Sequence, residues 1–241
     1  MNNIFRHLIF PDRCVACDKV LDFNRRKRGF CEECARDIRY AIEPVCKMCG
    51  KSIVDSNGEL CEDCRRRRHY FVQSKGVYVY EGGIKSAMYR FKYSNRRCYK
   101  YTFSRDAVLM HSSWIKDRRI DAIVPVPMYP KKKRQRGYNQ AEVIAVQLSK
   151  ELDIPVYCDI VTRNRLTTPM KGLNDKERQK NLKNAFNFCK KGLQLKRVLL
   201  VDDIYTTGST LDSVAKVLLE GGIKEVYGLC LCVGRGYSGV S

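Results

Sequence analysis

One segment near the C-terminus, residues 198–210, limits the fold more than any other stretch of the chain. It begins with four apolar residues, 198–201, which predict a short strand buried inside a parallel sheet. Asp202 and Asp203 follow the strand, and a turn of small residues then leads into a segment whose apolar residues recur at helical spacing. The chain is therefore expected to contain an α/β domain with a strand, a polar turn and a helix in direct succession.

The turn consists of five small residues and is called the 206–210 turn below: Thr206, Thr207, Gly208, Ser209 and Thr210. At a helix N-terminus such a turn presents free amides and hydroxyls together with the positive end of the helix dipole, so it suits a phosphate group. The two preceding carboxylates suit sugar hydroxyls or hydrated Mg²⁺ instead. A 5-phosphorylated ribose meets both requirements. The alternative is an ordinary strand, turn and helix in which the acids cap the turn.

Residues 198–210 resemble the motif with which the phosphoribosyltransferase family binds 5-phosphoribosyl 1-pyrophosphate (PRPP). The shared features are the hydrophobic run, the paired acids and the Thr-Thr-Gly-x-Thr pattern. The resemblance implies that PRPP and Mg²⁺ bind at the 206–210 turn. It makes Asp202 and Asp203 the candidate catalytic residues, since they would steady the ribose.

Four CxxC pairs in the N-terminal part of the chain predict metal binding. Two knuckles of this kind complete a closed tetrahedral site, so two structural Zn²⁺ ions are expected. Sequential and interleaved pairing of the knuckles both remain open. Redox chemistry is the alternative, and it is disfavoured because the pairs lie within about fifty residues of polar loop rather than in a βαβ unit. The candidate ligands are Cys14, Cys17, Cys31, Cys34, Cys46, Cys49, Cys61 and Cys64.

Other residues around the cysteines carry weaker signals. His69 is a spare ligand candidate, and the arginines at 65–68 are read as a solvated linker, with phosphate-backbone binding as the alternative. The five remaining cysteines are expected to be buried small hydrophobic residues. They are Cys98, Cys158, Cys189, Cys230 and Cys232.

Net charge and hydropathy indicate which class of partner the protein binds and in which compartment it is expected. Lysine and arginine number 46 against 26 acidic residues, a formal net charge of +20, which predicts a polyanionic partner or ligand. Apolar runs of about 18 residues and signal-peptide features are missing from the sequence, so membrane insertion is not expected and a cytoplasmic location is. We predict a zinc-binding module over residues 1–75 and the α/β domain over residues 76–241.

The middle of the chain is basic and aromatic. Residues 85–136 contain fifteen lysines and arginines against three acids, with tyrosines and phenylalanines between them. Cations for the backbone and rings for stacking bases are typical of single-stranded nucleic-acid binding. The alternative is that the rings belong to the core and the charges line its edge. Alternation of aromatic and basic residues at 89–93 predicts a strand.

A cationic segment over residues 129–140 precedes the next predicted helix, and a further apolar strand is predicted at 156–161. The cationic segment is predicted to be a glycine-bearing loop, in which Arg134, Arg136 and the amides after Gly137 could bind the pyrophosphate of PRPP. The same loop could bind DNA phosphates.

Taken together, the cysteine knuckles, the 206–210 turn and Arg136-Gly-Tyr-Asn-Gln140 resemble the ComF family of competence-associated, phosphoribosyltransferase-like proteins. The resemblance spans nearly the whole chain. It implies an α/β fold with a mostly parallel sheet and a small N-terminal zinc-knuckle module. It also implies binding of PRPP and single-stranded DNA and a role in DNA uptake, with proteins of the uptake machinery as partners.

The same resemblance implies that residues 166–186 form a lid over PRPP. Thr168, Pro169, Gly172 and Arg178 match the family pattern, whereas Met170 stands where glutamine is expected. A plain surface connection is the alternative to a lid.

Two further functions remain open. In the first, the protein is an enzyme in which a nitrogen nucleophile displaces pyrophosphate at C1 of PRPP, with Asp202 and Asp203 stabilising the positive charge that develops on the ribose. In the second, it is a zinc-dependent adaptor whose PRPP site senses the metabolite.

Overall fold

The structure, a computed structural model, describes residues 11–22, 29–53, 59–165, 184–190 and 192–235. Within these ranges, short N-terminal helices precede an alternation of strands and helices. The helices are α1 (Glu32–Asp37), α2 (Glu62–Arg66), α3 (Gly82–Tyr93), α4 (Lys100–Asp117), α5 (Pro130–Arg136), α6 (Gln140–Leu152) and α7 (Ser209–Glu220). The strands are β1 (Gln73–Val79), β2 (Ala122–Pro125), β3 (Val161–Arg163), β4 (Phe186–Phe188), β5 (Arg197–Tyr205) and β6 (Glu225–Val233).

The main sheet is parallel and, in the described part of the chain, has four strands in the order β1, β6, β5, β2. Residues of β5 alternate between its two faces: Leu199 and Val201 belong to one core cluster, Val198 and Leu200 to the other. All four side chains are buried. The predicted α/β fold with a parallel sheet is confirmed, and β3 and β4 form a separate antiparallel pair.

The two faces of the sheet are covered by different helices. Phe91 of α3, Phe103 of α4 and Ile144 of α6 lie in the core that contains Leu199 and Val201, which we call the first core cluster. Leu211 and Val214 of α7 lie in the second. Parallel strands covered on both faces direct their carboxyl ends toward one edge, where a ligand site is expected.

The N-terminal cysteine segments contribute to these same cores, one on each face. Cys14 lies in the first core cluster and Cys46 in the second. A Cβ atom on Gly83 would lie 2.8 Å from Cβ of Ala16, so glycine lets the start of α3 approach the first cysteine segment closely. The boundary at residues 75 and 76 stays a prediction, and β1 begins at Gln73.

The prediction of a strand at residues 89–93 is wrong, because these residues end α3. Ile84, Ala87, Met88 and Phe91 are buried at the i, i+3, i+4 and i+7 positions of a helix. This helical stripe begins before the alternating segment and determines its structure. Tyr89, by contrast, is exposed.

Two more predictions of local structure are corrected. The predicted cationic loop is the helix α5, which begins at Pro130 and ends at Arg136. Gly137 caps the helix with a φ of 84°, in the left-handed region that favours glycine. The strand predicted at 156–161 is reduced to a single bridge between Val156 and Ile123, and β3 starts at Val161.

The remaining cysteines follow the prediction in part. Cys230 and Cys232 are buried in β6, as expected. Cys98, Cys158 and Cys189 are exposed, which contradicts the prediction that they are core residues.

Across the parts of the chain that the structure describes, every helix is too short or too polar to cross a membrane.

Candidate functional site

The 206–210 turn lies at the carboxyl end of β5 and leads directly into α7. It surrounds a small depression that is open to solvent and is lined by Asp202 and residues 204–211. Gly208 caps α7 with a φ of 77°, and a Cβ atom there would lie 2.4 Å from the hydroxyl of Tyr205. Glycine is therefore required both by the backbone conformation and by the ring beneath it.

Hydroxyl groups inside the turn are ordered by one another. Oγ1 of Thr207 lies 2.9 Å from Oγ of Ser209, and the Ser213 hydroxyl donates to the Ser209 carbonyl at 2.7 Å. The first turn of α7 leaves backbone N–H groups without helical partners, as every helix start does. The arrangement suits an anion with several oxygens.

The two carboxylates lie within β5, which runs two residues beyond them. Asp202 Oδ1 accepts a hydrogen bond from the Asp203 amide at 2.8 Å, and Asp203 forms an ion pair with Lys92 of α3 at 2.7 Å. Burial, and next the negative charge of Asp203, raise the pKa of Asp202 to about 7. The pair therefore combines a carboxylate that is paired with a lysine and a carboxyl group whose pKa is raised to about 7.

Lys92 of α3 and Arg163 of β3 lie near these acids, and Arg136 and Lys132 of α5 lie near those two cations. We call these four residues the cationic cluster. Burial lowers the pKa of Lys132, and the like charges of Arg163 and Arg136 lower it further. Burial also lowers the pKa of Lys92, but Asp203 and Asp202 outweigh it and raise the pKa overall. Cations that repel one another in this way favour binding of a polyanion between them.

The three residues of the segment 129–140 that are predicted to bind an anion lie in different environments. Arg136 belongs to the cationic cluster, and its side chain donates to Gln140 at 2.8 Å. Arg134, two residues before Arg136, is exposed. Two residues of a helix span a rotation of about 200°, so the two side chains point to different sides of α5. Gly137 ends α5, and its carbonyl accepts from Arg97 at 3.1 Å. Sequence reasoning missed Lys92 and Arg163, which are separated from the turn by long stretches of chain.

Exposed aromatic rings lie beside the cationic cluster. Tyr89 and Tyr93, one helical turn apart on α3, have ring centroids 5.0 Å apart and side chains that are 64% and 63% exposed. The guanidinium of Arg136 lies 4.9 Å from the centre of the Tyr93 ring. By contrast, Phe91, Tyr99 and Phe103 of the same basic segment are buried, so the rings divide between core and surface.

Among the described residues, the eight predicted cysteine ligands form two groups, and the metal-ligating atoms of each group lie within 4.8 Å of one another. We call them the first cluster (Cys14, Cys17, Cys31, Cys34) and the second cluster (Cys46, Cys49, Cys61, Cys64). The knuckles are therefore paired in sequence order rather than interleaved.

The sulfur spacing fits zinc. A tetrahedral ZnS₄ site with bonds of about 2.3 Å has edges of about 3.8 Å. The Sγ atoms of Cys17 and Cys31 are 3.8 Å apart, and those of Cys49 and Cys61 are 3.7 Å apart. The donor set and its geometry thus support structural zinc in both clusters.

The arginines after the second cluster do not share one role. Arg65 and Arg66 are exposed, but Arg67 donates to the carboxylate of Asp212 in α7. The ring of His69 is buried between Cys64 and Asp212, with Nε2 3.4 Å from the sulfur and Nδ1 2.8 Å from the carboxylate. His69 thus lies next to a complete set of four cysteines rather than replacing one of them.

The predicted lid, including Met170, falls mostly on residues 166–183, which lie outside the described residues. Its role stays a prediction.

Comparisons with known proteins agree with these two parts of the molecule. A model of the double zinc ribbon domain matches residues 5–65, and a model of the phosphoribosyl transferase domain matches residues 139–239. The chain is 33% identical over 222 residues to Competence protein F of Haemophilus influenzae, covering 90% of this chain and 95% of that protein. It is 29% identical to the DNA utilization protein YhgH of Escherichia coli strain K12, covering 93% of this chain and 98% of that protein. A purine phosphoribosyltransferase from Pyrococcus horikoshii Ot3 aligns with a TM-score of 0.36 and 21% identity over 57% of this chain and 77% of that one.

Proposed function

Because the chain belongs to the ComF family of competence-associated, phosphoribosyltransferase-like proteins, we propose that it binds Mg²⁺-PRPP and single-stranded DNA in DNA uptake during natural transformation. In this proposal, residues 76–241 carry the PRPP and DNA sites. Residues 1–75 form the zinc-binding module and contribute to contacts with other proteins of the uptake machinery.

The observation that carries the PRPP part is the meeting of three features at one sheet edge. The 206–210 turn suits the 5-phosphate, Asp202 and Asp203 suit the ribose hydroxyls or Mg²⁺, and the cationic cluster suits the pyrophosphate. PRPP has these three chemical parts in the same molecule, joined through its ribose ring.

The DNA part is supported by the exposed rings of Tyr89 and Tyr93 and by the charge around them. Two neighbouring rings with an arginine against one of them offer stacking for bases and a cation for the backbone. Lys92 lies between the two tyrosines in sequence and reaches Asp203. A single strand on this surface would therefore run beside the PRPP site.

The test is a titration of a fluorescent single-stranded oligonucleotide and of the matching duplex over a range of salt concentrations, with and without Mg²⁺-PRPP. We expect a preference for the single strand that survives moderate salt, because stacking depends less on salt than phosphate contacts do. Replacing both Tyr89 and Tyr93 with alanine should weaken single-strand binding by roughly tenfold or more. Tyr101→Ala, which removes an exposed ring elsewhere on the basic surface, is the matched control.

Equal binding of single strand and duplex that salt abolishes would overturn the DNA part. Absence of Mg²⁺-PRPP binding in calorimetry would overturn the PRPP part.

One observation favours catalysis as a second function. A carboxyl group whose pKa is about 7, as for Asp202, can accept a proton from a nitrogen nucleophile at neutral pH. Release of pyrophosphate in a screen of nucleobases, glutamine and ammonia, lost in Asp202→Asn, would establish the enzyme. Silence across the screen would leave PRPP as a bound ligand.

A further inference from the structure

The second cluster is connected to the 206–210 turn by a short chain of side-chain contacts. Residues 64–69 leave the cluster and pass the first turn of α7, where Asp212 is buried. His69 links the sulfur of Cys64 to the Asp212 carboxylate. We call His69, Asp212 and Arg67 the bridge.

Asp212 is held firmly by this neighbourhood. Its Oδ2 atom accepts from Arg67 and faces Nδ1 of His69, and its Oδ1 atom accepts from the Tyr70 amide at 2.9 Å. Charge-assisted hydrogen bonds to a buried carboxylate are the stronger ones in proteins. Asp212 therefore fixes Arg67 relative to α7.

Arg67 in turn reaches the 206–210 turn itself. Its Nη1 atom donates to Oγ of Ser209 at 3.3 Å and to the carbonyl of Thr207 at 3.5 Å. In a trans peptide the carbonyl and the following N–H point in opposite directions. Arg67 therefore lies on the carbonyl side of the peptide between Thr207 and Gly208, and the N–H of Gly208 points away from it.

A second set of contacts supports the same turn from below. Lys51 of the second cysteine segment lies 5.7 Å from the ring centre of Tyr205, and the Phe71 ring meets Tyr205 edge-on at 6.3 Å. Tyr205 is the residue against which Gly208 packs. Two sets of contacts thus lead from the second cluster to the turn, and Phe71 joins them because its ring stacks on that of His69 with centroids 4.6 Å apart.

Zinc in the second cluster would hold in place the residues from which these contacts start. A zinc-bound Cys64 would keep its sulfur in place against Nε2 of His69, whereas without metal the knuckle loses its constraint. Loss of zinc would therefore release His69 and, through Asp212, Arg67.

We propose that the second zinc ribbon positions the 206–210 turn for its anionic ligand through the bridge, with Arg67 as the positioning residue, so that zinc binding at this cluster and PRPP binding strengthen each other. The proposal rests on the proposed PRPP site. Linkage is reciprocal, so a bound ligand must strengthen zinc binding by the same factor by which zinc strengthens binding of the ligand.

The test compares Arg67→Ala with Arg66→Ala in the full-length, zinc-loaded protein. Arg66 is the adjacent, exposed arginine that pairs with Glu62, so its variant removes the same charge without touching the turn. In Arg67→Ala we expect two zinc ions per chain to remain and Mg²⁺-PRPP affinity to fall by about tenfold, within the usual range of coupling between sites. At equilibrium with a competing chromogenic chelator, Mg²⁺-PRPP should lower the amount of zinc that the chelator takes up from wild type and from Arg66→Ala, and it should do so less from Arg67→Ala.

Amide hydrogen exchange over residues 206–212 provides a readout that needs no ligand. Exchange should be faster in Arg67→Ala and in zinc-stripped wild type than in zinc-loaded wild type and Arg66→Ala. If wild type fails to bind Mg²⁺-PRPP but exchange behaves as expected, the proposed function fails and the positioning role stands. If Arg67→Ala exchanges at the wild-type rate, or if bound Mg²⁺-PRPP protects zinc from the chelator equally in Arg67→Ala and Arg66→Ala, the positioning role is overturned.

Discussion

At the scale of single residues, the surroundings of Asp202 change the acid–base chemistry of its carboxyl group. Its pKa of about 7 compares with an ordinary value of 3.8, and burial is the largest cause. In the free protein the folded state therefore holds a proton that the unfolded state releases, and the free energy of unfolding falls as pH rises from about 4 to about 7. Binding of a ligand that needs the ionised carboxylate has the opposite pH dependence, because its affinity increases as pH rises.

We predict that Mg²⁺-PRPP binds more tightly as pH rises through 7. Between pH 6 and pH 8 the ionised share of a group with this pKa grows from about one tenth to about nine tenths, so affinity should increase by up to about tenfold. Calorimetry of wild type and Asp202→Asn at pH 6, 7 and 8 measures the effect. The variant should bind more weakly and retain the pH dependence of the ligand phosphates alone. An identical pH profile in both proteins would contradict the prediction.

Sequence reasoning placed some of these residues and missed others for a simple reason. Asp202 and the 206–210 turn are contiguous, so one motif brings them together. Lys92 and Arg163 arrive from α3 and β3, and their approach depends on how these elements pack against the sheet. Arg67 was read as part of a solvated run because its partner, Asp212, lies in α7.

At the scale of elements, α7 depends on how it begins. Gly208 has a left-handed backbone and packs against Tyr205, whereas Gly222, just beyond the end of α7, has a φ of 101° and open space where a Cβ would lie. The two glycines separate backbone strain from packing.

We predict that Gly208→Ala abolishes Mg²⁺-PRPP binding and destabilises the protein, while Gly222→Ala destabilises it and leaves binding intact. Both variants carry roughly 1–2 kcal/mol of left-handed strain, but in Gly208→Ala the methyl group also displaces Tyr205 or the turn. Chemical denaturation and calorimetry of the same preparations measure both effects. Equal PRPP affinity in the two variants would be the contrary result.

The helix α3 shows why element type was harder to predict than element position. Five alternating residues favoured a strand, but a buried stripe starting at Ile84 decides for a helix. A short local pattern lost to a longer one that buries more apolar surface. Residues 198–201 of β5, by contrast, were predictable as a strand because these four apolar residues are buried on both faces. The prediction that Asp202 and Asp203 follow the strand is wrong, because β5 continues through them to Tyr205.

At the scale of the whole molecule, the cysteine clusters belong to the cores of the sheet. Residues of the first cluster share a core with α3 and α4, and those of the second share one with α7. Trp114, the one tryptophan of the sequence, lies in α4 and donates to Gln73 of β1 at 2.7 Å. Its fluorescence therefore reports on the packing of α4 against the edge of the sheet.

We predict that removing zinc with a strong chelator changes the emission of Trp114, because the loss of the clusters loosens the cores that they complete. Fluorescence and zinc content followed in the same sample measure this. The control is chelator already saturated with zinc. Full loss of zinc with unchanged Trp114 emission would mean that the clusters and the α/β domain unfold independently.

The pairing of β1 with β6 has a consequence for synthesis on the ribosome. About 150 residues of chain separate Val79, the end of β1, from Glu225, the start of its partner β6. At 5–20 residues per second, the ribosome needs roughly 7–30 s to make that stretch. During this interval β1 waits as an unpaired strand edge, the kind of segment that chaperones protect. Zinc captured early by the cysteine clusters would give the nascent N-terminal part a local fold while the sheet is incomplete.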